Sequence, residues 1–316
     1  MSNRNPNRGI TLASVAGTMP IGAGAGRSSI ASATESCRTT PRASVRPHYP
    51  ESVTTTPDAS LDDDLALALR LADEADHISS DRFRSLDLRV TTKPDRTPVT
   101  DADQSVERAI RERIAAERPG DGIVGEEYGT EGESSRRWII DPIDGTANFL
   151  RGVPVWGTLI ALVVDGVPQV GVVSSPALGR RWWAARGSGA WLAEGADAPR
   201  RIRVSGVSDL ADASISFQSI AQWDGAGYLD RLIALTRRVW RDRAYGDMWS
   251  YMLLAEGLID AAGEFGVKSY DVAALIPIVE EAGGRFTSAT GTRDLDDGSA
   301  LASNGHLHEA LLDALA

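Results

Sequence analysis

Two apolar runs joined by an Asp-Gly pair constrain the fold of this chain more than any other local feature. The runs, Thr158 to Val164 and Val167 to Ser174, flank Asp165-Gly166, which is a typical two-residue connection of an antiparallel β-hairpin. Two further runs with the character of strands lie on either side, at Trp138 to Ile140 and at Arg181 to Ala185. The middle of the chain is therefore predicted to form an antiparallel sheet.

Segments with helical spacing precede this sheet. A first helix is predicted to begin near Ser60, a good N-cap, with the acidic run of residues 62–64 in its first turn, where the positive end of the helix dipole favours acids. A second helix is predicted from about Asp101 to Arg118, with Pro119 beyond its end.

Beyond Ser205 the pattern changes to alternating strands and helices. The predicted helices are Tyr228 to Trp240, Met248 to Glu256 and about Asp271 to Ala282, followed by a last helix at the carboxyl end. The predicted strands are Leu258 to Ala262 and Ser299 to Ser303. Sheets mixed with segregated helices predict a layered α+β or α/β body in two abutting halves, residues 59–204 and 205–316.

Residues 1–58 have a different composition from the rest of the chain. They are rich in Ser, Thr, Pro, Gly and Arg, and their acids are Glu35, Glu51 and Asp58. Because such a segment buries too little apolar surface to offset the entropy of ordering, we predict a disordered extension. Its acid-poor, Arg-rich character fits an organellar transit peptide, and a start codon assigned too far upstream explains it equally well.

Composition limits the classes of function. The net charge is −11, which argues against a nucleic-acid binder because such proteins present a basic face. The longest apolar stretches, such as Gly157 to Val164, are far too short to cross a bilayer, so no membrane partner is expected. The single cysteine, Cys37, excludes an internal disulfide and favours a reducing, cytoplasmic location.

The segment from Trp138 to Phe149 carries the strongest chemical signal. Its apolar run leads into Asp141 and Asp144, and Pro142 is predicted to force a turn at the strand end so that both carboxylates face one point. Carboxylates without a nearby His or Cys select a hard cation such as Mg²⁺. The plainer alternative is an Asp-Pro turn in which Asp144 caps a helix.

Three other acids lie at positions where they could join this pair. Glu126 follows the apolar Ile123-Val124, Asp271 begins a predicted helix, and Asp103 lies at the start of another. Each has an ordinary alternative: Glu126 can lie on a solvated edge, and the other two can act as partners of a helix dipole.

Taken together, these segments resemble the inositol monophosphatase-like family of metal-dependent phosphatases over about residues 60–316. The landmarks are Val99-Thr100-x-x-Asp103, Gly125-Glu126-Glu127, Asp141-Pro-Ile-Asp-Gly-Thr-Ala-Asn-Phe149, and Tyr270-Asp271 with Glu281-Ala-Gly-Gly284. The resemblance implies an αβαβα sandwich of the inositol monophosphatase type, acting on a small phosphorylated substrate with two or three Mg²⁺ ions. Tyr270 departs from the Trp usual before the metal-binding aspartate, and Ala147 fills a variable position.

The resemblance also implies a role for each landmark residue. The implied metal ligands are Glu126, Asp141 and the Ile143 carbonyl for one ion, and Asp141, Asp144 and Asp271 for a second. A third, looser ion is expected on Glu126 and waters near the Lys93-Pro94 loop. The implied catalytic residues are Asp103 and Thr146, which orient or deprotonate the attacking water. Backbone N–H groups of Gly145 and Thr146 are expected to bind the phosphate.

The segment from Arg241 to Asp247 bears on the substrate. Its Arg-Ala-Tyr-Gly-Asp sequence resembles the histidinol-phosphate phosphatase branch of the family, whose substrate carries an ammonium and an imidazole. We expect Asp247 and Asp271 to face the amine, and Arg243 and Tyr245 to shape the pocket. Asn304 is expected to reach the imidazole across the contact of a homodimer. The alternative is that Arg243 pairs with Asp247 and Tyr245 belongs to the core.

Other functions stay open on this fold. Within the family the main alternative is an inositol-1-monophosphatase, followed by a 3′-phosphoadenosine phosphatase, which normally has insertions not found here. A catalytically idle regulatory or RNA-associated protein would be expected to lack ligands or to have a basic surface, and this chain has neither property.

Overall fold

The computed structural model of the chain describes residues 59–92 and 98–316, with side chains from residue 61 onward. The expectations for residues 1–58, for Ser60 as a helix cap and for a third ion near Lys93-Pro94 lie outside the residues described in this way. No helix in the described part of the chain is long and apolar enough to span a bilayer.

Two helices form the first layer of the fold. Helix α1 covers Ala59–Arg82 and α2 covers Asp101–Glu117, and the antiparallel strands β1 (Val90–Thr92) and β2 (Pro98–Thr100) lie between them. Helix α2 begins with a capping box in which Thr100 and Asp103 bond to each other's backbone N–H groups. The apolar faces of both helices pack on a sheet, as their spacing predicts, through residues such as Leu67, Leu71 and Ile110.

That sheet has eight strands over the described residues, in the order β10-β9-β8-β7-β6-β5-β3-β4. Their bounds are β3 Gly122–Gly125, β4 Gly129–Glu131, β5 Arg136–Asp144, β6 Gly157–Val164, β7 Val167–Ser175, β8 Arg180–Ala185, β9 Gly189–Glu194 and β10 Arg200–Arg201. Strands β3 and β5 pair in parallel and the other pairs are antiparallel. Helix α3 (Thr146–Arg151) follows β5. The predicted hairpin is confirmed, since Asp165 and Gly166 both have positive φ, 50° and 79°.

A second sheet lies in the carboxyl-terminal half, with the described order β12-β11-β13-β15-β14. Its strands are β11 Ser214–Phe217, β12 Arg241–Arg243, β13 Ala261–Phe265, β14 Arg285–Thr287 and β15 Ser299–Ser303. The helices of this half are α4 Ile220–Gly225, α5 Leu229–Thr236, α6 Asp247–Ala255, α7 Ser269–Val272, α8 Leu275–Glu281 and α9 His308–Leu315.

The layers follow from which residues share a core. One face of the eight-stranded sheet packs on α1 and α2. Its other face shares a core with α6, α8 and the second sheet, and the far side of the second sheet packs on α5 and α9. The order helix, sheet, helix, sheet, helix confirms the predicted αβαβα sandwich.

Strand β5 is longer than the predicted run from Trp138 to Ile140, and three predicted elements of the carboxyl-terminal half also have clearly different bounds. Helix α5 ends at Thr236, well before Trp240, because the chain there turns into β12 and pairs with β11. Strand β13 begins at Ala261, three residues after the predicted start at Leu258. The helix predicted from Asp271 to Ala282 is divided into α7 and α8, because Pro277 has no N–H to bond the carbonyl of Ala273, four residues earlier.

Candidate active site

The site is built around the end of strand β5. Contrary to our expectation, Pro142 does not end the strand, which runs on to Asp144. Instead, the register against β6 shifts between Asp141, paired with Leu159, and Asp144, paired with Gly157. Such a bulge re-aims the side chains of a strand, and it places the two aspartates in one cluster despite their odd spacing.

Asp271 completes this cluster from the other half of the chain. Asp141, Asp144 and Asp271 each offer a carboxylate oxygen that lies within 4.8 Å of those of the other two. The backbone N–H of Lys268 donates to Asp271 Oδ2 over 2.6 Å, which holds the carboxylate at the start of α7. We refer to these residues below as the aspartate trio.

Glu126 lies beside the trio. It follows β3, the parallel neighbour of β5, and Gly125 is paired with Ile140, so the next residues on the two strands are Glu126 and Asp141. Its charge acts on the site, because it raises the pKa of Asp141, Asp103 and Asp271 in addition to the larger effect of burial. Glu126 is therefore within electrostatic reach of the trio, and its role as a metal ligand stays a prediction.

Burial and repulsion by neighbouring carboxylates raise the pKa of every member of the trio. Burial is the largest cause for Asp141, followed by the charges of Glu126 and Asp144, and its pKa lies well above the usual value. Burial and the charges of Asp247 and Asp271 do the same for Asp144. Burial raises the pKa of Asp271 to about 7. A bound cation would relieve this repulsion.

The donor set fits a divalent metal ion. Asp141 is 2% exposed, and within the described structure its Oδ1 atom is buried without a hydrogen-bond partner, although buried polar atoms are almost always bonded. An all-oxygen set of carboxylates suits hard cations. The Ile143 carbonyl, predicted as a further ligand, accepts a hydrogen bond from Thr146 Oγ1 at 3.1 Å.

Asp103 and Thr146 form the second predicted pair. The Thr100 N–H and hydroxyl both donate to Asp103 Oδ2, which leaves Oδ1 directed at Thr146 Oγ1 over 3.3 Å. Asp103 is fully buried, and burial, with a smaller effect from the charge of Glu126, raises its pKa. A carboxylate with a raised pKa is a better base than an exposed one.

Gly145 connects the trio to the start of α3. Its φ of 83° is in the left-handed region, and a Cβ there would lie 3.1 Å from the carbonyl oxygen of Val155 and 3.3 Å from Asp247 Oδ2. A glycine is therefore required for this close approach. The predicted phosphate-binding residues Gly145 and Thr146 both lie beside the trio.

Asp247 is fixed by amide side chains. Gln218 Nε2 donates to Asp247 Oδ1 over 2.7 Å, and the Asp247 N–H donates to Gln218 Oε1 over 2.9 Å. Asn148 Nδ2 donates to Asp247 Oδ2 over 2.9 Å. Burial raises the pKa of Asp247, and its charge in turn raises the pKa of Asp144, so Asp247 borders the aspartate trio.

The other three predicted substrate residues differ in burial and in their contacts. Arg243 is exposed and its guanidinium donates to the carbonyl of Asp242, so the alternative of a pair with Asp247 is not realised. Tyr245 is half-buried against the core between the sheets. Asn304 is 1% exposed and its amide bonds Ser205, Val207 and the N–H of Leu307. The structure thus gives Asn304 a structural role in a turn, and we leave it out of the substrate site.

Glu264 is a site residue that our reading of the sequence missed. It lies on β13 and is 8% exposed, and burial, followed by the charges of Asp271 and Asp247, raises its pKa to about 8. The signal in the sequence was an acid inside the apolar strand Ala261–Phe265, since buried acids are rare without a functional partner.

Known proteins resemble this chain along the whole described body. The family model described as "Inositol monophosphatase family" matches residues 60–316. The chain is 56% identical over 254 residues to a histidinol-phosphatase of Mycobacterium tuberculosis, in a match that covers 80% of this chain and 98% of that protein. It is 51% identical over 257 residues to a histidinol-phosphatase of Streptomyces coelicolor, with 80% and 97% covered. Among solved structures, the extragenic suppressor protein SuhB from Bartonella henselae matches with a TM-score of 0.73 at 30% identity, with 80% of this chain and 98% of that chain covered.

Proposed function

The chain belongs to the inositol monophosphatase family, and from that premise we propose that it is a Mg²⁺-dependent histidinol-phosphatase. The reaction is hydrolysis of a phosphoric monoester, L-histidinol phosphate and water giving L-histidinol and phosphate, as a step of histidine biosynthesis. The observation that carries the proposal is the aspartate trio, whose carboxylate oxygens lie within 4.8 Å of one another around the buried, unpartnered Oδ1 of Asp141.

The family is metal-dependent, and we assign the ions as two or three Mg²⁺. Asp141, Asp144 and Asp271 would hold one ion, and Glu126, Asp141 and the Ile143 carbonyl a second. When bound, such ions lower the pKa of a water and stabilise the leaving oxygen of an in-line displacement. The excess of buried negative charge in the site supports this assignment, since it is costly without a compensating cation.

Asp103 and Thr146 orient the attacking water. The hydroxyl of Thr146 has one proton, and its oxygen lies 3.1 Å from the Ile143 carbonyl and 3.3 Å from Asp103 Oδ1. With the proton directed at Asp103, a lone pair of Thr146 Oγ1 accepts a hydrogen bond from the water. Asp103 is fixed in turn by Thr100, so the geometry needs no reorganisation during the reaction. The N–H groups of Gly145 and Thr146 would bind phosphate oxygens. No covalent phospho-enzyme is required.

The substrate amine is assigned to the acidic side of the pocket. Asp247, which two amide side chains hold in place, and Glu264 both border Asp271, and an ammonium group would be attracted to this set of carboxylates. Arg243 and Tyr245 are assigned to the rim of the substrate site.

We propose a homodimer in the cytoplasm, as expected from the sequence.

The alternative within the family is hydrolysis of inositol 1-phosphate. Inositol carries no positive charge, and a neutral ring gains less from Asp247 than an ammonium does. The sequence identity above 50% to two histidinol-phosphatases favours L-histidinol phosphate as the substrate. The idle regulatory protein is disfavoured because every predicted ligand is present.

A substrate panel tests the proposal directly. Phosphate release is measured from L-histidinol phosphate, inositol 1-phosphate and adenosine 3′,5′-bisphosphate, with Mg²⁺ and with a chelator. We expect turnover to require Mg²⁺ and kcat/KM to be highest for L-histidinol phosphate. Equal or faster cleavage of inositol 1-phosphate would overturn the choice of substrate, and full activity in chelator would overturn the metal assignment.

A further inference from the structure

The candidate ligand Glu126 lies on a short hairpin loop. Strands β3 and β4 pair from Ile123 with Glu131 to Gly125 with Gly129, so residues 126–128 form the connection between them. Loop residues are more mobile than the strands that carry them. A metal ligand in such a loop needs support from elsewhere to hold its position.

Glu107, on helix α2, supplies that support. Its side chain is fully buried, and its carboxylate accepts the N–H of Glu127 over 2.7 Å and the N–H of Tyr128 over 3.1 Å. The third N–H of the loop, that of Glu126, donates to the carbonyl of Ile140 over 3.2 Å. All three backbone donors of the loop are therefore fixed, two of them by one carboxylate.

Gly125 provides a second, independent sign of this contact. A Cβ at position 125 would lie 1.9 Å from Glu107 Oε1, which is far too close for a carbon and an oxygen atom that are not bonded to each other. The carboxylate thus occupies the space that a side chain would take, directly before the ligand residue. Only glycine at this position lets Glu107 reach the loop.

Arg111 compensates the buried charge of Glu107. Its Nε donates to Glu107 Oε1 over 2.8 Å, one turn further along α2. The same guanidinium donates to the carbonyl of Gly129 and pairs with Glu131 Oε2 over 3.2 Å. Glu107 and Arg111 therefore hold the loop on both sides, and the buried acid is paired as its burial requires.

We infer that Glu107 is a positioning residue for the metal site, which fixes the loop so that Glu126 is aimed at the aspartate trio before any ion binds. This inference rests on the proposed role of Glu126 as a metal ligand. Groups that orient metal ligands typically contribute a factor of about 10–100 to metal affinity or activity. Glu107 acts through Glu126 and does not itself contact the reacting atoms.

The test compares Glu107→Gln with the matched control Glu131→Gln in the full chain. Both variants remove a carboxylate that contacts Arg111. Of these two carboxylates, only that of Glu107 accepts backbone N–H groups of the loop in the described contacts. Direct Mg²⁺ binding is measured by calorimetry, and kcat is measured across a Mg²⁺ titration. We expect Glu107→Gln to weaken Mg²⁺ binding about 10–100-fold, with most of kcat restored at saturating Mg²⁺, and Glu131→Gln to bind Mg²⁺ like the wild type.

Two further variants make each outcome decisive. Gly125→Ala displaces the same carboxylate from the strand side without a change of charge, and it replaces Glu107→Gln if that variant fails to fold. Unchanged Mg²⁺ affinity in the folded variant would overturn the inference. Glu126→Gln separates the two proposals: if it leaves Mg²⁺ binding unchanged, the assigned ligand is wrong, whereas if it weakens binding and Glu107→Gln does not, only the positioning role of Glu107 fails.

Discussion

The backbone N–H of Met248 donates a hydrogen bond of 2.6 Å to Asp144 Oδ2. This contact joins the two halves of the chain at the centre of the site. Met248 follows Asp247 in the first turn of α6, so Asp144, the proposed metal ligand, and Asp247, assigned to the substrate amine, depend on the same turn. Metal binding and substrate choice should therefore be measured together in any variant of this turn.

Mg²⁺ is expected to stabilise the folded chain. A ligand that binds only the folded state adds about 2.7 kcal/mol when its free concentration is about 100 times its Kd, which corresponds to a rise in Tm of about 5–10 °C for a domain of this size. Thermal unfolding followed by circular dichroism across a millimolar Mg²⁺ titration measures the effect. A constant Tm would contradict the metal site.

Asp141→Asn is expected to separate stability from activity. Loss of the shared ligand should cost about 4 kcal/mol of transition-state stabilisation, or about 10³-fold in kcat. The metal-free variant should melt at or above the wild-type Tm, because one of several repelling buried charges is gone. Phosphate release and thermal unfolding in chelator measure the two quantities. Asp165→Asn, in the turn between β6 and β7, is the control, and wild-type turnover by Asp141→Asn would rule out its metal role.

The stability of the metal-free protein should fall between pH 6.5 and pH 8.5. Burial raises the pKa of Asp271 to about 7 and that of Glu264 to about 8. The pKa of each group is higher in the folded chain than in the unfolded chain. Its contribution to the free energy of unfolding is therefore fully present at low pH and is lost as pH rises through 7 to 8. The comparison stays above pH 6.5 because His308, whose pKa burial lowers to about 4, destabilises the fold at lower pH.

Mg²⁺ should oppose this trend. Protons and metal compete for the same carboxylates, so Mg²⁺ affinity should increase with pH. Urea unfolding at pH 6.5 and 8.5, in chelator and in Mg²⁺, measures both effects. The urea midpoint in Mg²⁺ is compared with the midpoint in chelator at each pH. If the difference between them becomes smaller toward pH 8.5, the raised pKa values do not belong to the metal site.

Replacing the hydroxyl of Thr146 is expected to slow the chemical step. Thr146→Val removes the group between Asp103 and the attacking water, and kcat should fall about 10²-fold or more. Thr146→Ser keeps the hydroxyl and should retain most of the activity. Steady-state kinetics at saturating Mg²⁺ measure the difference, and equal loss in both variants would point to packing of the methyl group instead.

Asp247→Asn is expected to change selectivity. A hydrogen bond to a charged group is worth about 1.5–3 kcal/mol, so KM for L-histidinol phosphate should rise about 10–100-fold. KM for inositol 1-phosphate should change little. Asp242→Asn, on the neighbouring strand β12, is the control. If KM rises equally for both substrates, Asp247 acts on the site through the Met248 turn and not on the amine.

Much of the fold was predictable because its signals are local. The Asp165-Gly166 turn, the first two helices and the strands around the hairpin depend on residues adjacent in sequence, and the structure confirms them. The elements that differ depend on distant partners. Trp240 lies outside helix α5 because the chain there enters β12, which pairs with β11. The periodicity of residues 228–240 does not predict this pairing.

The sequence by itself determined which residue types meet in this protein. The carboxylates of Glu126, Asp141, Asp144 and Asp271, predicted as oxygen ligands, and a Thr-Asp pair beside them follow from short motifs. Only the tertiary structure decided how they act: the bulge that aims Asp141 and Asp144, the burial that raises their pKa values, and the support from Glu107 and Gln218. The physical reason is that charge interactions and burial depend on distances through space, and these are set when segments far apart along the chain pack together.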